Sequence, residues 1–194
     1  MNDAPRPVRD AATLILVRDP AGDTPRVLMG QRGASAAFMP NKFVFPGGAV
    51  DSCDTGIAVT GAGADPLGHR LAEAAGPGIG AALLACAIRE LWEETGLVLG
   101  ERGVWTGTVP ADWASFAATG HVPSAAGMSF VFRARTPVGR PRRFDARFLL
   151  VDADRLATDP DDFSRASDEL SHLHWVPVPD ARRYDLPFIT QVVL

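Results

Sequence analysis

The sequence predicts an α/β protein in which helices pack against a mixed β-sheet. Two kinds of segment support this prediction. Ala11–Arg18 and Arg26–Gln31 are apolar, strand-like runs on either side of the turn-rich Asp19–Pro25, a pattern typical of a hairpin. Ala81–Thr95 has apolar residues at helical spacing and is followed by a glycine. Hairpins combined with separate helices favour one mixed sheet with helices against it.

The remaining elements follow in chain order. The first half adds a short aromatic strand at Lys42–Phe45 that stops at Pro46-Gly47-Gly48. Asp51–Gly80 is rich in glycine and alanine without a sustained period, which predicts a surface insertion with a short helix around His69–Ala75. The second half is predicted to contain a short helix at Asp112–Ala118, strands at Met128–Arg135, Arg143–Val151 and Leu170–Val176, an acidic loop at Asp152–Ser167, and a helix at Asp180–Leu194 that breaks at Pro187.

Length and composition narrow the range of functions. A chain of 194 residues without repeats or a linker is predicted to form one domain, residues 1–194. The first apolar run, Ala11–Val17, is too short for a signal sequence or a membrane span, so we expect a cytoplasmic protein without a membrane partner. The net charge of −4 argues against a partner that is a nucleic acid. Cys53 and Cys86 form no metal or redox pattern and are predicted to be free thiols.

Three of the six glutamates lie within five residues of the predicted helix. On a helical wheel, Glu90, Glu93 and Glu94 fall on the side opposite the apolar cluster. Like charges at this spacing repel each other, so helix stability does not favour them, whereas Mg²⁺ or Mn²⁺ would bind carboxylate oxygens. Arg89 can hold one carboxylate in a single rotamer. The alternative interpretation is an ordinary solvated acidic face.

The flanking sequence favours the metal site. The run Arg89-Glu90-Leu91-Trp92-Glu93-Glu94-Thr95-Gly96-Leu97 matches the second half of the Nudix box, which reads R-E-apolar-x-E-E-x-G-apolar. The segment Phe45-Pro46-Gly47-Gly48-Ala49-Val50-Asp51 resembles its opening. By this resemblance we expect a Nudix-type α/β/α sandwich with a mixed sheet. The resemblance also implies an enzyme that hydrolyses a small nucleotide derivative, a nucleoside diphosphate linked to another moiety.

The resemblance also implies roles for individual residues. Glu90, Glu93 and Glu94 would be ligands of Mg²⁺ or Mn²⁺, with the Gly48 backbone at the same site. Arg89 would orient a glutamate, and water would attack one phosphorus atom of the pyrophosphate. The residues expected to be catalytic are Arg89, Glu93, Glu94 and Glu169.

Glu169 precedes the last predicted strand, where many Nudix enzymes place a further metal ligand or a general base. Its alternative is a solvated loop acid. The residues expected to contact substrate are Arg32, Phe45, Gly47, Gly48 and Arg143. For Arg143, the alternative is an internal ion-pair ladder along a strand in which Arg143, Asp145 and Arg147 share one face.

The sequence departs from the usual box in one respect. The usual box is continuous: the second glycine, five residues, a glutamate, seven residues, then the arginine. Here Arg89 lies 41 positions after Gly48, and the position eight before Arg89 is Ala81, so the first box glutamate is absent there. Asp51 supplies an acid three residues after Gly48.

An interrupted box of this kind resembles bacterial Nudix proteins similar to a peroxisomal enzyme that cleaves coenzyme A and its thioesters. Coenzyme A is therefore the first substrate hypothesis. Two alternatives stay open: a broad hydrolase of ADP-ribose, NADH or dinucleoside polyphosphates, and a nucleotide-binding module without catalysis. The resemblance also makes a homodimer an expectation.

Overall fold

A seven-stranded mixed sheet forms the centre of the molecule. The computed structural model describes residues 7–36, 39–61, 70–71, 73 and 76–194. The strands of the main sheet are β1 (Arg9–Arg18), β2 (Arg26–Arg32), β3 (Phe43–Val44), β4 (Gly47–Ala49), β7 (Ser129–Arg135), β8 (Phe144–Asp152) and β9 (Leu170–Pro177). A second, two-stranded sheet consists of β5 (Gly100–Arg102) and β6 (His121–Pro123).

The helices lie between these strands and at the end of the chain. The α-helices are α1 (Ile79–Thr95), α2 (Ala114–Ala117), α3 (Val178–Ala181) and α4 (Phe188–Val193), and the 3₁₀ helices are η1 (Ser52–Asp54), η2 (Ala111–Trp113) and η3 (Ala153–Arg155). No helix in the described ranges is both long and apolar enough to cross a membrane. The predicted mixed sheet with helices packed against it is confirmed.

Strand β1 lies at the centre of the sheet and organises its topology. It pairs in parallel with β8 over its whole length and antiparallel with β2, but only at Val17 and Arg18. Beyond that point β2 continues beside β3, whereas the free edge of β1 pairs with β4 through Ala11, Ala12 and Thr13. The strands β1 and β2 therefore diverge, and the segment from β3 to β4 enters the gap between them.

Alternation along β1 divides the apolar residues into two cores. Ala12, Leu14 and Leu16 point into the larger core, which α1 covers, while Ile15 and Val17 point into a second core on the opposite face. The second core is covered by the short helices α3 and α4. Because side chains of a strand alternate between faces, one central strand serves both layers.

Helix α1 agrees closely with its prediction and begins two residues earlier. It starts after Gly78 and ends at Gly96, and both glycines adopt the left-handed conformation that favours glycine. The Thr95 hydroxyl donates to the Leu91 carbonyl at 2.6 Å and accepts from the backbone N–H of Leu97 at 3.1 Å, which closes the helix end. Most residues of α1 are buried, including Glu94, and Glu90 and Glu93 are half-buried, so the acidic side is not an ordinary solvated face.

Three parts of the chain differ from the sequence prediction or extend it. Gly47–Ala49, predicted as the stop of a strand, is itself a strand because the free edge of β1 offers it hydrogen-bonding partners. Strands β5 and β6 were not predicted from the sequence. Within the predicted insertion, Ile57 and Leu71 are buried in the larger core, and most of the helix predicted around His69–Ala75 lies outside the described residues.

Buried ion pairs fasten β1, β7 and β8 together at one end of the sheet. Asp145 accepts two hydrogen bonds from Arg133, both at 2.7 Å, and lies 3.5 Å from Arg147. Arg147 is fully buried and also pairs with Asp10. Of the ladder expected along this strand, the Asp145–Arg147 contact is present, whereas Arg133 and Asp10 belong to the neighbouring strands. Hydrogen bonds from Arg133 are the main reason that the pKa of Asp145 lies below its usual value.

The buried carboxylate of Asp145 makes a first test. Asp145→Asn is expected to lower the free energy of unfolding at pH 7 by about 2–4 kcal/mol, because it removes the anion that Arg133 contacts and leaves the fully buried Arg147 with Asp10 as its carboxylate partner. Urea unfolding of both proteins measures the change. The matched control is Asp180→Asn, whose ion pair with Arg183 is solvent-exposed and contributes little.

The same substitution has a defined pH dependence. The folded-state pKa of Asp145 is lowered, so its stabilising contribution is complete above the ordinary value of 3.8 and is lost as pH falls below it. The difference between wild type and Asp145→Asn should therefore shrink in acid. A difference that stays constant from pH 7 to pH 3 would show that the charge of Asp145 is not the stabilising feature.

Candidate metal and catalytic site

Two consecutive glycines allow strand β4 to lie directly against its neighbours. A Cβ atom on Gly47 would lie 2.4 Å from the backbone oxygen of Ala12, and the φ of Gly47 is 152°. A Cβ atom on Gly48 would lie 2.3 Å from Oε1 of Glu90. Both distances are shorter than any normal contact, so β4 can occupy this place only without side chains at these positions. The Gly-Gly pair thereby brings backbone next to the carboxylates of α1.

Arg89 is the centre of the site and contacts three carboxylates. Its Nε and Nη2 donate to the two oxygens of Asp54 at 2.8 and 3.0 Å. Its Nη1 lies 2.8 Å from Glu93 and 3.0 Å from Glu90. The side chain of Arg89 is only 7% exposed and that of Asp54 is fully buried. Despite the opposing effect of burial, the hydrogen bonds to Asp54 keep the pKa of Arg89 above its usual value.

Glu94 lies deeper than the other glutamates of the helix. Its residue is 1% exposed, and its Oε2 accepts a hydrogen bond of 2.8 Å from the backbone N–H of Gly47. Burial, followed by the charge of Glu90, raises the pKa of Glu94 well above the usual value. When Glu94 is ionised, the positive charge near its carboxylate does not offset the cost of burial.

The pKa values of Glu90 and Glu93 are also raised, by different amounts. Burial is the main cause that raises the pKa of Glu90 to about 7, with Arg89 opposing the shift and Glu93 adding to it. Burial also raises the pKa of Glu93, which is 39% exposed. One guanidinium thus serves Asp54, Glu90 and Glu93. The helix is predominantly buried, but its carboxylates are incompletely neutralised.

Asp54 is the site residue that the sequence analysis missed. We expected the first box glutamate to be absent, because Ala81 stands eight positions before Arg89, and Ala81 is indeed exposed and unconnected to Arg89. The acid that clamps Arg89 is Asp54, six positions after Gly48. In the usual box, five residues separate the second glycine from the first glutamate. Counting forward from Gly48 in the same way reaches Asp54. The forward count would have found Asp54, and the backward count did not.

The local structure around Asp54 explains why it points inward. Asp51 caps η1 by accepting from the backbone N–H of Ser52 at 2.7 Å, and Asp54 accepts from the backbone N–H of Asp51 at 2.9 Å. This reciprocal pair is a capping box that fixes η1 after β4. Asp51 itself is exposed. The two acids have separate roles: Asp51 holds the turn, and Asp54 holds Arg89.

Arg32 and Glu169 form a second charged pair at the other side of the glutamates. Nη2 of Arg32 lies 3.2 Å from Oε1 of Glu169, and the backbone N–H of Gly33 donates to the Glu169 carbonyl. The buried Nε of Arg32 has no hydrogen-bond partner among the described residues. The charge of Glu169 contributes to the raised pKa values of Glu90 and Glu94, after burial as the main cause. The pair therefore lies within electrostatic reach of the helix carboxylates.

Two residues expected at the substrate site lie elsewhere. Phe45 is 3% exposed and belongs to the second core, on the face of the sheet opposite α1, so the expectation that it contacts substrate is corrected. Its side chain faces away because it immediately precedes the turn that brings Gly47 under the helix. Arg143 lies at the start of β8, where its Nε donates to the carbonyl of Thr136 at 3.4 Å.

The two cysteines are free, as predicted. Burial raises the pKa of Cys53 to about 11 and that of Cys86 well above its usual value. Cys86 borders the site, with its Sγ 3.6 Å from the carbonyl oxygen of Gly48. Because both thiols stay protonated at neutral pH, neither has the reactivity of a nucleophile.

The donor set fits a hard divalent cation by its chemistry and its charge. Within the described ranges, no three histidine, cysteine or acidic side chains converge into a preformed metal cluster. Glu90, Glu93 and Glu94 nevertheless offer carboxylate oxygens, the ligands that Mg²⁺ and Mn²⁺ prefer. Their incomplete neutralisation by Arg89 leaves negative charge that such a cation would offset.

Known proteins share both the sequence pattern and the fold. The profile of the NUDIX domain matches residues 8–192. A Caenorhabditis elegans protein provisionally named nudix hydrolase 7 is 29% identical over 200 residues, which cover 92% of this chain and 57% of that protein. The chain thus spans little more than half the length of that relative.

Solved structures of NUDIX proteins have a similar fold. A NUDIX hydrolase from Alicyclobacillus acidocaldarius superimposes with a TM-score of 0.66 and 25% identity, over 96% of this chain and 90% of that chain. The NUDIX domain of Shewanella oneidensis NrtR, solved with ADP-ribose, has a TM-score of 0.53 and 14% identity, over 100% of this chain and 88% of that chain. The second likeness concerns the fold alone.

The two glycines of β4 make a second test. In Gly48→Ala the new Cβ would meet the flexible end of Glu90, so the carboxylate moves while the fold is kept. We expect metal-dependent turnover to fall by about 100-fold or more with little change in the thermal midpoint. Gly33→Ala is the control, because a Cβ there meets nothing within 4 Å.

Gly47→Ala is expected to behave differently. Its Cβ would meet the backbone of Ala12, which cannot move aside cheaply. The protein should lose about 3 kcal/mol or more of unfolding free energy. Gly48→Ala with normal turnover, or Gly47→Ala with normal stability, would contradict the close packing of β4 described above.

Proposed function

The chain belongs to the NUDIX domain family, and on that premise we propose that it is a metal-dependent pyrophosphohydrolase acting on a nucleoside diphosphate linked to another moiety. One observation carries the proposal. The carboxylates of α1 are gathered around Arg89 and lie directly against the Gly47-Gly48 backbone. A nucleotide-binding module would gain nothing from burying ionisable groups that oppose folding in their charged form.

We assign the metal to the glutamates of α1. Nudix hydrolases use divalent metal ions, and the proposed ion here is Mg²⁺ or Mn²⁺, held by Glu90, Glu93 and Glu94 near the Gly48 backbone. When bound there, such an ion would supply Lewis-acid chemistry that polarises phosphoryl oxygens and offsets the charge developing on them. Arg89 keeps Glu90 and Glu93 in fixed rotamers, and Asp54 keeps Arg89 in place.

The proposed reaction is a hydrolysis. The oxygen of one water molecule bonds to one phosphorus of the pyrophosphate, the bond from that phosphorus to the bridging oxygen breaks, and the bridging oxygen leaves on the other phosphate. A proton from the water passes to a base. We propose Glu169 as that base, because it is 56% exposed, lies near Glu90 and Glu94, and is oriented by Arg32.

Arg32 is the proposed phosphate contact. Its Nη2 pairs with Glu169, but its Nε is a buried donor without a partner among the described residues. A donor in that state is stabilised when an anionic oxygen reaches it, and the arginine fork suits a phosphate. Gly47 and Gly48, without side chains, leave room for a phosphate to approach the backbone.

The substrate proposed first is coenzyme A or an acyl-coenzyme A. Its support is the sequence: the box opening at Phe45–Asp51 and the matching helix are far apart, as in the subgroup that cleaves coenzyme A. We propose that the segment 51–80 is an insertion within the box, except for its first residues, which end at Asp54 and still belong to the box because Asp54 binds Arg89. A cytoplasmic location and a homodimer, both expected from the sequence, are part of the same proposal.

A hydrolysis screen tests this function. Purified protein with Mg²⁺ or Mn²⁺ is incubated with coenzyme A, acetyl-coenzyme A, NADH, ADP-ribose, dinucleoside polyphosphates and nucleoside triphosphates, and products are separated by chromatography. We expect 3′,5′-ADP and a phosphopantetheine product from coenzyme A. Glu93→Gln and Glu94→Gln should each lower turnover by about 100-fold or more, because each removes a charged donor of the proposed metal site.

Glu101→Gln is the matched control for these variants, since Glu101 is an exposed glutamate on β5 outside the site. Cleavage of another substrate, lost in the same variants, would keep the mechanism and remove coenzyme A. Absence of metal-dependent cleavage throughout the screen would refute the proposed activity and favour the binding module.

The role of Glu169 is tested separately from that of the metal ligands. Glu169→Gln should lower kcat by about 100-fold or more while leaving KM within about threefold, because a base acts on water and not on ground-state binding. The control is Asp168→Asn, which alters the exposed acid next to it. Equal kcat values for wild type and Glu169→Gln would exclude Glu169 as the base.

A further inference from the structure

Strand β9 contains a β-bulge close to the proposed base. Its pairing with β2 is continuous as far as His174 and resumes at Ser171, so that residues 172 and 173 together oppose Gly30 of β2. A Cβ atom on Gly30 would lie 2.9 Å from Cδ2 of Leu173, which is closer than a normal contact. The glycine therefore leaves the room in which β9 bulges.

The bulge determines where Glu169 lies. It shifts the register of β9 by one residue, so that Leu170 pairs with Arg32. The carbonyl of Glu169 then accepts a hydrogen bond from the backbone N–H of Gly33. In an unbroken register Ser171 would pair with Arg32, and Glu169 would lie about 3.3 Å further along the strand. The contact of 3.2 Å between the side chains of Arg32 and Glu169 thus depends on the bulge.

The backbone of His172 makes the bulge and is strained. Its φ is 52°, in the left-handed region that is unfavourable for a residue with a Cβ atom. The side chain is exposed, and its Nδ1 lies 3.1 Å from the hydroxyl of Ser171. The carbonyl oxygen of His172 accepts a hydrogen bond of 2.7 Å from Nδ1 of His174. This bond holds the strained peptide from a neighbouring residue of the same strand.

The imidazole of His174 is fixed on both sides. A carbonyl oxygen only accepts, so Nδ1 carries the proton, and Nε2 of the neutral ring accepts from the hydroxyl of Tyr184 at 2.9 Å. The ring also packs edge-on against Phe43, with 6.0 Å between centroids, and against Tyr184 at 5.5 Å. Its rotamer is thereby locked by packing and by hydrogen bonds, which suits a residue that orients another group.

We propose that His174 is a positioning residue for Glu169. Its Nδ1 holds the carbonyl of His172, the bulge sets the register, and the register places Glu169 beside Arg32. The rings that His174 contacts pack against the second core, on the face of the sheet opposite α1, so it acts through the backbone. The inference rests on the proposed function, in which Glu169 is the base.

The first test is steady-state kinetics on the substrate that the hydrolysis screen identifies. His174→Phe keeps an aromatic ring but removes the Nδ1 donor, and it should lower kcat by about tenfold with KM within about threefold. His174→Asn should restore most of kcat, because its amide N–H₂ can replace the Nδ1 donor. Equal loss of kcat in both variants, or no loss in either, would overturn the proposal.

His121→Phe is the matched control for a loss of stability without displacement of Glu169. His121 is a buried histidine of β6, and its Nδ1 lies 3.1 Å from the Thr119 hydroxyl. This variant should keep kcat within about twofold even where its thermal midpoint falls as far as that of His174→Phe. An equal fall of kcat in His121→Phe would reduce the effect to general destabilisation and overturn the positioning role.

A double-mutant cycle shows whether His174 acts through Glu169. In the Glu169→Gln background, His174→Phe should cause no further fall in kcat, because the position of a missing base has no effect on turnover. Two reductions that multiply would show that His174 acts independently of Glu169 and would overturn the proposal.

Amide hydrogen exchange tests the positioning without turnover. His174→Phe should speed exchange of the Gly33 N–H by about tenfold, because its acceptor is the Glu169 carbonyl, and leave the Gly47 N–H, bound to Glu94, unchanged. Unchanged exchange at Gly33 would overturn the inference, whatever the hydrolysis screen shows. Faster exchange in a protein that cleaves no substrate would uphold the positioning of Glu169 and remove the proposed function alone.

Discussion

Arg89 sits in the interior with three carboxylates around one guanidinium. Water cannot solvate a side chain that is only 7% exposed, so an anion has to accompany it, and the fully buried Asp54 does so with two hydrogen bonds. This requirement ties η1 to α1. It also leaves Nη1 to face Glu90 and Glu93, which are thereby held side by side despite their repulsion. The arrangement of the acidic side chains on α1 therefore follows from the anions that the guanidinium of Arg89 requires.

The backbone around this ion cluster is shaped by strand β4, which has no side chain at Gly47 or Gly48. Because β1 and β2 part after two paired positions, the free edge of β1 is open to Gly47–Ala49. Any side chain on Gly47 would strike Ala12, and any on Gly48 would strike Glu90. The sheet, the glycine pair and α1 are therefore interdependent. The N–H of Gly47 can reach the buried Glu94 only because all three meet at this point.

Local patterns predicted most of the fold, and the long-range contacts show where they fail. Helix α1 and its acidic side were predictable because helical period and a terminal glycine are local signals. Strand β4 was not, because glycine has low strand propensity and only the open edge of β1 makes it a strand. Asp54 was missed because the box was counted backward from Arg89, which lies 35 residues further along the chain, and the intervening segment breaks that count. Phe45 was misplaced because the sheet order, which decides the face it points to, is not written in the local sequence.

The charges of the molecule are distributed in a way that links stability to binding. Burial raises the pKa values of Glu90 and Glu94, so ionisation of these carboxylates opposes folding, and this opposition grows as pH rises from the ordinary value of 4.5 towards the raised folded-state values. A cation that binds only the folded state reverses that effect by mass action. The compensation for an unfavourable site comes from the apolar side of the same helix, where Leu91 is completely buried. Helix α1 therefore contains both the buried carboxylates, which destabilise the fold when ionised, and the apolar side chains whose packing offsets that destabilisation. This is why its acidic side can be buried.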